Sequence, residues 1–303
     1  MWVQLRSGNL LGFIGHGGTV RANILLGLFV RACLFQYLTC YPEANHMIDA
    51  YTHLDLTCAD PIADMKARMA AAGIEGALAV ETWKADNLSW LRQMMAEPSP
   101  QFRVALCFRP VLDQQFPGIL ENRSVIGLRV RTEDMAQLHD VAAWLQTLGK
   151  WLIPHAENGI GPLKKELLAL AQRTPGLQIY LPHLGWPTQD KVEDPEWEAA
   201  VSELAEIPGM VVGISAIAHF SAEPFPHADV EPFAARLIGM FGSASVVAAG
   251  DYPLMDKDRY TQYLQLAQDW IRRADAQWSP RFERAFRSAA PSAGKPGARQ
   301  AVE

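Results

Sequence analysis

From Met47 onward, apolar runs of strand length alternate with longer amphipathic stretches, and that alternation is what most restricts the fold. The runs are MIDAYTHL, EGALAVET, RVALCFR, VIGLRVR, WLIPHA, LQIYLPHL, MVVGISA and SVVAAGD. Between them lie helical patterns such as PIADMKARMAAAG, EDMAQLHDVAAWLQTLG, GPLKKELLALAQRTPG and DPEWEAAVSELAEIPG, several closed by a glycine where a helix C-terminus favours one. The last unit ends in RYTQYLQLAQDWIRRA. Eight βα units between Met47 and Arg273 predict an α/β fold: a (β/α)8 TIM barrel in one domain, near the small end of that fold's range. The alternative is an open doubly wound sheet, but no GxGxxG turn follows the first run to mark a dinucleotide site. The third connection, PVLDQQFPGILENRS, holds two prolines and is a poor helix.

The domain boundaries expected are an N-terminal extension over 1–46, the barrel over 47–287 and a disordered tail over 288–303. The tail, SAAPSAGKPGARQAVE, has no apolar period. Within the extension, ANILLGLFVRACLFQYLTCY is about a bilayer span in length, yet Arg31 sits near its middle. A signal anchor is one reading. The preferred one is that translation starts at Met47 and the preceding residues are upstream sequence or a dispensable extension.

A net charge of -6 and no basic run argue against nucleic acid and leave a small molecule as the expected partner, with no membrane and an open oligomeric state. Four cysteines, at 33, 40, 58 and 107, show no CxxC spacing, which suits a reducing compartment and a cytoplasmic location.

Barrel active sites gather at the C-terminal ends of the strands. His53, Arg109, Arg129, Arg131, His155, His183, Ser215 and Asp251 all fall there. Histidines with a carboxylate suit a divalent metal, zinc foremost, with three protein ligands and a water. Asp251 is a candidate ligand or general base. Ser215 reads as a rim hydroxyl, since no histidine with an orienting acid accompanies it. His219 and His227 read as ordinary residues of a proline-containing loop, and Trp186 as a rim ring suited to stacking on a planar substrate.

The motifs IDAYTH, PHAENG, LPHLGWP and GDYP, in order on strands 1, 5, 6 and 8, resemble the amidohydrolase-related (amidohydrolase 2) branch of the metal-dependent amidohydrolase superfamily. That resemblance implies a (β/α)8 barrel and either hydrolysis of amides or lactones or decarboxylation of aromatic and unsaturated acids. It also implies metal-ligand roles for His53, His155 and Asp251, with His183 orienting water or polarising substrate. One departure bears on the cofactor. The family has His-x-His on strand 1, whereas this chain has Tyr51-Thr52-His53. The branch includes sugar and pyrone-dicarboxylate lactonases, some of which work without metal, so the expectation spans one divalent metal or none. The expected activity is hydrolysis of a small, carboxylated cyclic ester or amide by water that Asp251 activates, with His183 catalytic and Tyr51, Arg109, Arg129, Arg131 and Trp186 binding substrate. The alternatives are a metal-dependent decarboxylase of an aromatic or muconate-type acid, and an inactive barrel that only binds ligand.

Overall fold

Strands β1 (Met47–Thr52), β2 (Ile74–Val80), β3 (Phe102–Cys107), β4 (Val125–Arg131), β5 (Trp151–His155), β6 (Gln178–Leu181), β7 (Val211–Ile214) and β8 (Val246–Ala248) form one eight-stranded sheet in sequence order. Every neighbouring pair is parallel. The seam between the last strand and the first is bridged by backbone bonds, Asp251 N–H to the Tyr51 carbonyl at 2.9 Å and His53 N–H to the Tyr252 carbonyl at 2.6 Å. The result is the (β/α)8 barrel that the alternation predicts. These features come from a computed structural model that describes residues 47–83, 87–96, 99, 101–109, 116–188, 194–274, 282 and 286–287. The extension over 1–46 with its apolar stretch, the tail over 288–303 and the start of the third connection lie outside the described residues. Among the described residues no helix is long and apolar enough to cross a membrane.

The helices start and stop where local chemistry dictates. Helix α1 (Pro61–Ala72) is capped by the Asp60 side chain, which accepts from Ala63 N–H at 3.0 Å, has Pro61 in its first turn and ends at Gly73 with φ +67°. Helices α2 (Leu88–Ala96) and α3 (Phe116–Glu121) follow, the latter only six residues long, as the two prolines of its segment lead one to expect. The pattern over 133–149 reads as one helix but is two pieces, a 3-10 turn over Thr132–Gln137 and helix α4 (His139–Leu148). The tighter turn puts Met135 and Leu138 three residues apart on one face, and both are buried. Helices α5 (Gly161–Arg173), α6 (Pro195–Ala205), a single turn α7 (Ile217–Phe220), α8 (Glu231–Phe241) and α9 (Tyr260–Ala274) complete the ring.

The strands read as near-continuous apolar runs because both faces are covered. One side packs under the helices; the other fills the barrel with Tyr51, Leu78, Val80, Ile126, Trp151, Ile153 and Tyr180. Phe282 and Phe286 stop the N-terminal end of the barrel. Phe282 lies 5.8 Å from the Trp151 ring and 5.2 Å from that of Tyr180, and the buried Arg103 donates from Nε to the Phe286 carbonyl at 2.9 Å. Chemistry is therefore left to the opposite end, where the strand-terminal polar residues lie.

Candidate active site

Backbone strain concentrates at that end. His183, Leu184, Gly185 and Trp186 have φ of 56°, 56°, 69° and 56°, Ala216 has 55° and Asp251 has 51°. Left-handed conformation costs a non-glycine residue roughly 1 kcal/mol or more, and such strain persists where surrounding structure enforces it. The enforcement is visible after β6. Trp186 N–H bonds the His183 carbonyl at 2.8 Å, Ile160 N–H bonds the Trp186 carbonyl at 3.2 Å, and the Trp197 indole of α6 donates to the Leu184 carbonyl at 3.0 Å. After β8, Asp251 is pinned by its own N–H on Tyr51. Gly250 beside it must be glycine: a Cβ there would lie 2.5 Å from the Tyr260 ring and 3.0 Å from an Asp49 oxygen.

Asp49 completes this seam. Its Oδ1 accepts from Gly250 N–H at 2.9 Å and Tyr51 N–H at 3.1 Å, and its Oδ2 accepts from the Tyr260 hydroxyl at 2.7 Å. Burial pushes its carboxyl up to about 6, with the three hydrogen bonds acting against that rise.

Tyr51 occupies the barrel axis. Its ring stands edge-on to His183 at 4.5 Å and to His53 at 5.3 Å, and its fully buried hydroxyl has no partner among the described residues. Burial raises that phenol above its ordinary value, so it remains a donor. His53 donates from Nδ1 to the Val80 carbonyl at 2.7 Å, since a carbonyl only accepts. Its Nε2 therefore carries a bare lone pair, 3.9 Å from Asp251 Oδ1. Burial, aided by the Arg129 charge, lowers His53 to about 3, and the same two causes depress His183. Both imidazoles are neutral. Burial pushes Asp251 up to about 8, with Arg129 pulling the other way, and its Oδ1 has no hydrogen-bond partner among the described residues.

Arg129 enters from β4 and is 6% exposed. It donates to the Glu81 carbonyl at 3.0 Å and to His155 Nδ1 at 2.9 Å, while its Nε has no partner among the described residues. The β4–β5 register explains the second bond, since Arg129 pairs with Ile153 and Arg131 with His155. Its guanidinium also lies 4.6 Å over the Trp83 ring, and that of Arg131 lies 4.5 Å from it.

The other expected residues are placed differently. Arg131 shares the strand face of Arg129, but its side chain is 40% exposed and meets Glu133 at 3.5 Å. Arg109 is 44% exposed and bonds the buried Glu81 carboxylate through both terminal nitrogens. Trp186 is no open rim platform: it is buried, edge-on to His155 at 4.8 Å and to His183 at 4.6 Å. Ser215, read as a rim hydroxyl, is fully buried against His183. Asp49, Glu81 and Trp83 are site residues that sequence reasoning did not single out.

The implied metal set does not close as arranged. Among the described residues, the His, Cys and carboxylate atoms that lie within 4.8 Å of one another in a group of three are those of Asp55, Cys58 and Asp64, not those of His53, His155 and Asp251. The Nδ1 lone pair of His155 is taken by Arg129, and a guanidinium sits among the histidines where a second cation would be repelled. Tyr51 stands where the family's other strand-1 imidazole would be. The Asp55 group offers no substitute, because Asp55 is paired with Lys257, and Asp64 with Arg68 and the Tyr252 hydroxyl.

Known proteins place this geometry in a family. The chain is 32% identical over 91 residues to an L-fucono-1,5-lactonase of Burkholderia ambifaria, a match over 29% of this chain and 30% of the lactonase. Its backbone is similar to a protein of Pseudomonas putida assigned as a 2-pyrone-4,6-dicarboxylic acid hydrolase (16% identity, 81% and 98% of the two chains, TM-score 0.63). It is similar too to a Burkholderia multivorans amidohydrolase with bound zinc (18%, 80% and 95%, TM-score 0.59) and to a Rhizobium 2,6-dihydroxybenzoate decarboxylase (12%, 80% and 98%, TM-score 0.53). At these identities the likeness is one of fold. A sequence profile covers residues 57–280, from the loop after β1 to beyond α9. By that match, this chain belongs to the amidohydrolase family.

Proposed function

We propose that the protein is a hydrolase of a small anionic cyclic ester or amide, of lactonase type, and that it works without a resident metal. One observation carries the anionic part. Arg129 is buried, yet among the described residues it has no carboxylate partner; its bonds go to a carbonyl, an imidazole and nothing at Nε. A buried guanidinium without a counter-ion is costly unless a ligand supplies the anion.

The reaction follows from the groups around it. Asp251 in its carboxylate form takes a proton from water as the oxygen attacks the acyl carbon. The bond from that carbon to the ring heteroatom then breaks, and the proton on Asp251 passes to the departing oxygen or nitrogen. A carboxyl raised to about 8 suits a group that must both accept and return a proton near neutral pH. His183 and the Tyr51 hydroxyl stabilise the charge that develops on the carbonyl oxygen. Arg129 anchors the substrate carboxylate, and the rings of Tyr51, Trp83 and Trp186 wall the space.

The test is a panel of matched lactones and cyclic amides with and without a carboxylate, assayed for acid release and for carbon dioxide. Turnover of the carboxylated members, abolished in a folded Asp251→Asn variant, is expected. Carbon dioxide release from carboxylated rings without ring opening would instead make the protein a decarboxylase.

A further inference from the structure

Strand β7 ends at Ile214, and the next residue, Ser215, is fully buried. Its Oγ accepts from the main-chain N–H of His183 at 3.0 Å and lies 2.9 Å from Nδ1 of the same residue. A serine hydroxyl has one proton and two lone pairs. The backbone N–H takes one lone pair, which leaves two ways to make the second bond. If Nδ1 were protonated it would donate to the remaining lone pair, and the hydroxyl proton would need another acceptor. None is bonded to it among the described residues. A fully buried hydroxyl proton left without an acceptor costs about 1–3 kcal/mol. The other arrangement satisfies both the hydroxyl and Nδ1: Ser215 O–H donates to Nδ1, and the His183 proton sits on Nε2.

From this proton count we infer that Ser215 is a positioning residue that holds His183 as the Nε2–H tautomer and so makes it the donor to the substrate's carbonyl oxygen. The inference rests on the lactonase reading above for the identity of that oxygen, though not for the tautomer. It gives the two imidazoles beside Tyr51 opposite characters. His53, which donates from Nδ1 to Val80, presents a bare Nε2; His183, which accepts at Nδ1, presents Nε2–H. Neither ring needs to change its charge for one to accept and the other to donate. Ser215 does a second thing through the same oxygen, since its bond to the His183 N–H tethers the first residue of the left-handed turn at 183–186.

The test uses the full chain labelled with 15N-histidine. A two-bond proton–nitrogen correlation spectrum shows which ring nitrogens carry protons, and the His183 signals are those lost in His183→Gln. In the wild type, Nε2–H with a bare Nδ1 is expected; a protonated Nδ1 overturns the assignment, whatever the fate of any Ser215 variant. In Ser215→Ala the Nδ1–H form should become populated, with kcat for a carboxylated lactone lower on the order of tenfold, short of the ~10²–10³ lost when an oxyanion donor is removed outright. KM should stay within about a factor of two, and Ser215→Thr, which keeps the hydroxyl, should restore both tautomer and kcat. An unchanged tautomer and kcat in a folded Ser215→Ala variant would also overturn the inference. Should the wild type show Nε2–H but open no lactone, the lactonase reading fails while the hold of Ser215 on His183 stands.

Discussion

Arg129 is the residue on which the proposal depends, because among the described residues its buried guanidinium bonds a carbonyl and an imidazole but no carboxylate. A charge-assisted bond to a substrate carboxylate is worth about 2 kcal/mol, or roughly 30-fold. Arg129→Met should lower kcat/KM for carboxylated lactones by about that factor more than for their neutral analogues, as steady-state assays of matched pairs will show. Asp49 gives a prediction about stability. Below its ordinary value of 3.8 the carboxyl is protonated whether the chain is folded or not; from there to about 6 the folded protein keeps a proton that the unfolded chain has lost. The group thus favours the folded state at acid pH, and that contribution disappears as pH rises through about 6. Asp49→Asn removes it, so the melting temperature of the variant relative to wild type should rise between pH 4 and pH 7; a difference that stays constant would contradict the raised carboxyl. Neither residue's environment is legible along the chain. Arg129 and Arg131 share a strand face and look equivalent, and only depth separates them. Asp49 sits inside an apolar run, and its partners Gly250 and Tyr260 come from the far end of the sequence.

At the scale of elements, strand ends were the readable feature, because a parallel barrel forces long apolar runs and leaves most polar residues where the runs stop. His53, His155, His183 and Asp251 follow from that rule. What those residues do depends on neighbours from other strands, which no local pattern records: Glu81 at the end of β2 takes Arg109, and Ser215 after β7 takes His183. The left-handed turn HLGW is half visible. Gly185 suits a positive φ, but nothing local announces the same backbone at His183, Leu184 and Trp186. Helix α6 supports that turn through Trp197, and α6 itself begins at Asp194, whose carboxylate accepts from Trp197 N–H at 3.0 Å and Thr188 N–H at 2.9 Å. Asp194→Ala should cost about 1 kcal/mol, a drop of about 2–4 °C in thermal unfolding, together with a loss of kcat as His183 loosens. An unchanged melting temperature would show the cap to be dispensable.

For the whole molecule, counting apolar runs was sufficient to reach the barrel, since eight βα units in order admit few topologies. The closing of its lower end by Phe282 and Phe286 was not readable, as those rings lie in a segment without apolar period. The substitution of tyrosine for histidine in the first strand was readable, but its meaning was not. The structure gives it a context: a neutral phenol on the axis, a guanidinium bonded to His155 and histidines that burial keeps neutral. We propose that this site needs no metal ion. This is tested by measuring metal content and lactone turnover on the same untagged protein after exhaustive chelation. Far less than one equivalent of any divalent metal and unchanged turnover of a carboxylated lactone are expected. Turnover that disappears on chelation and returns with one equivalent of zinc would contradict it.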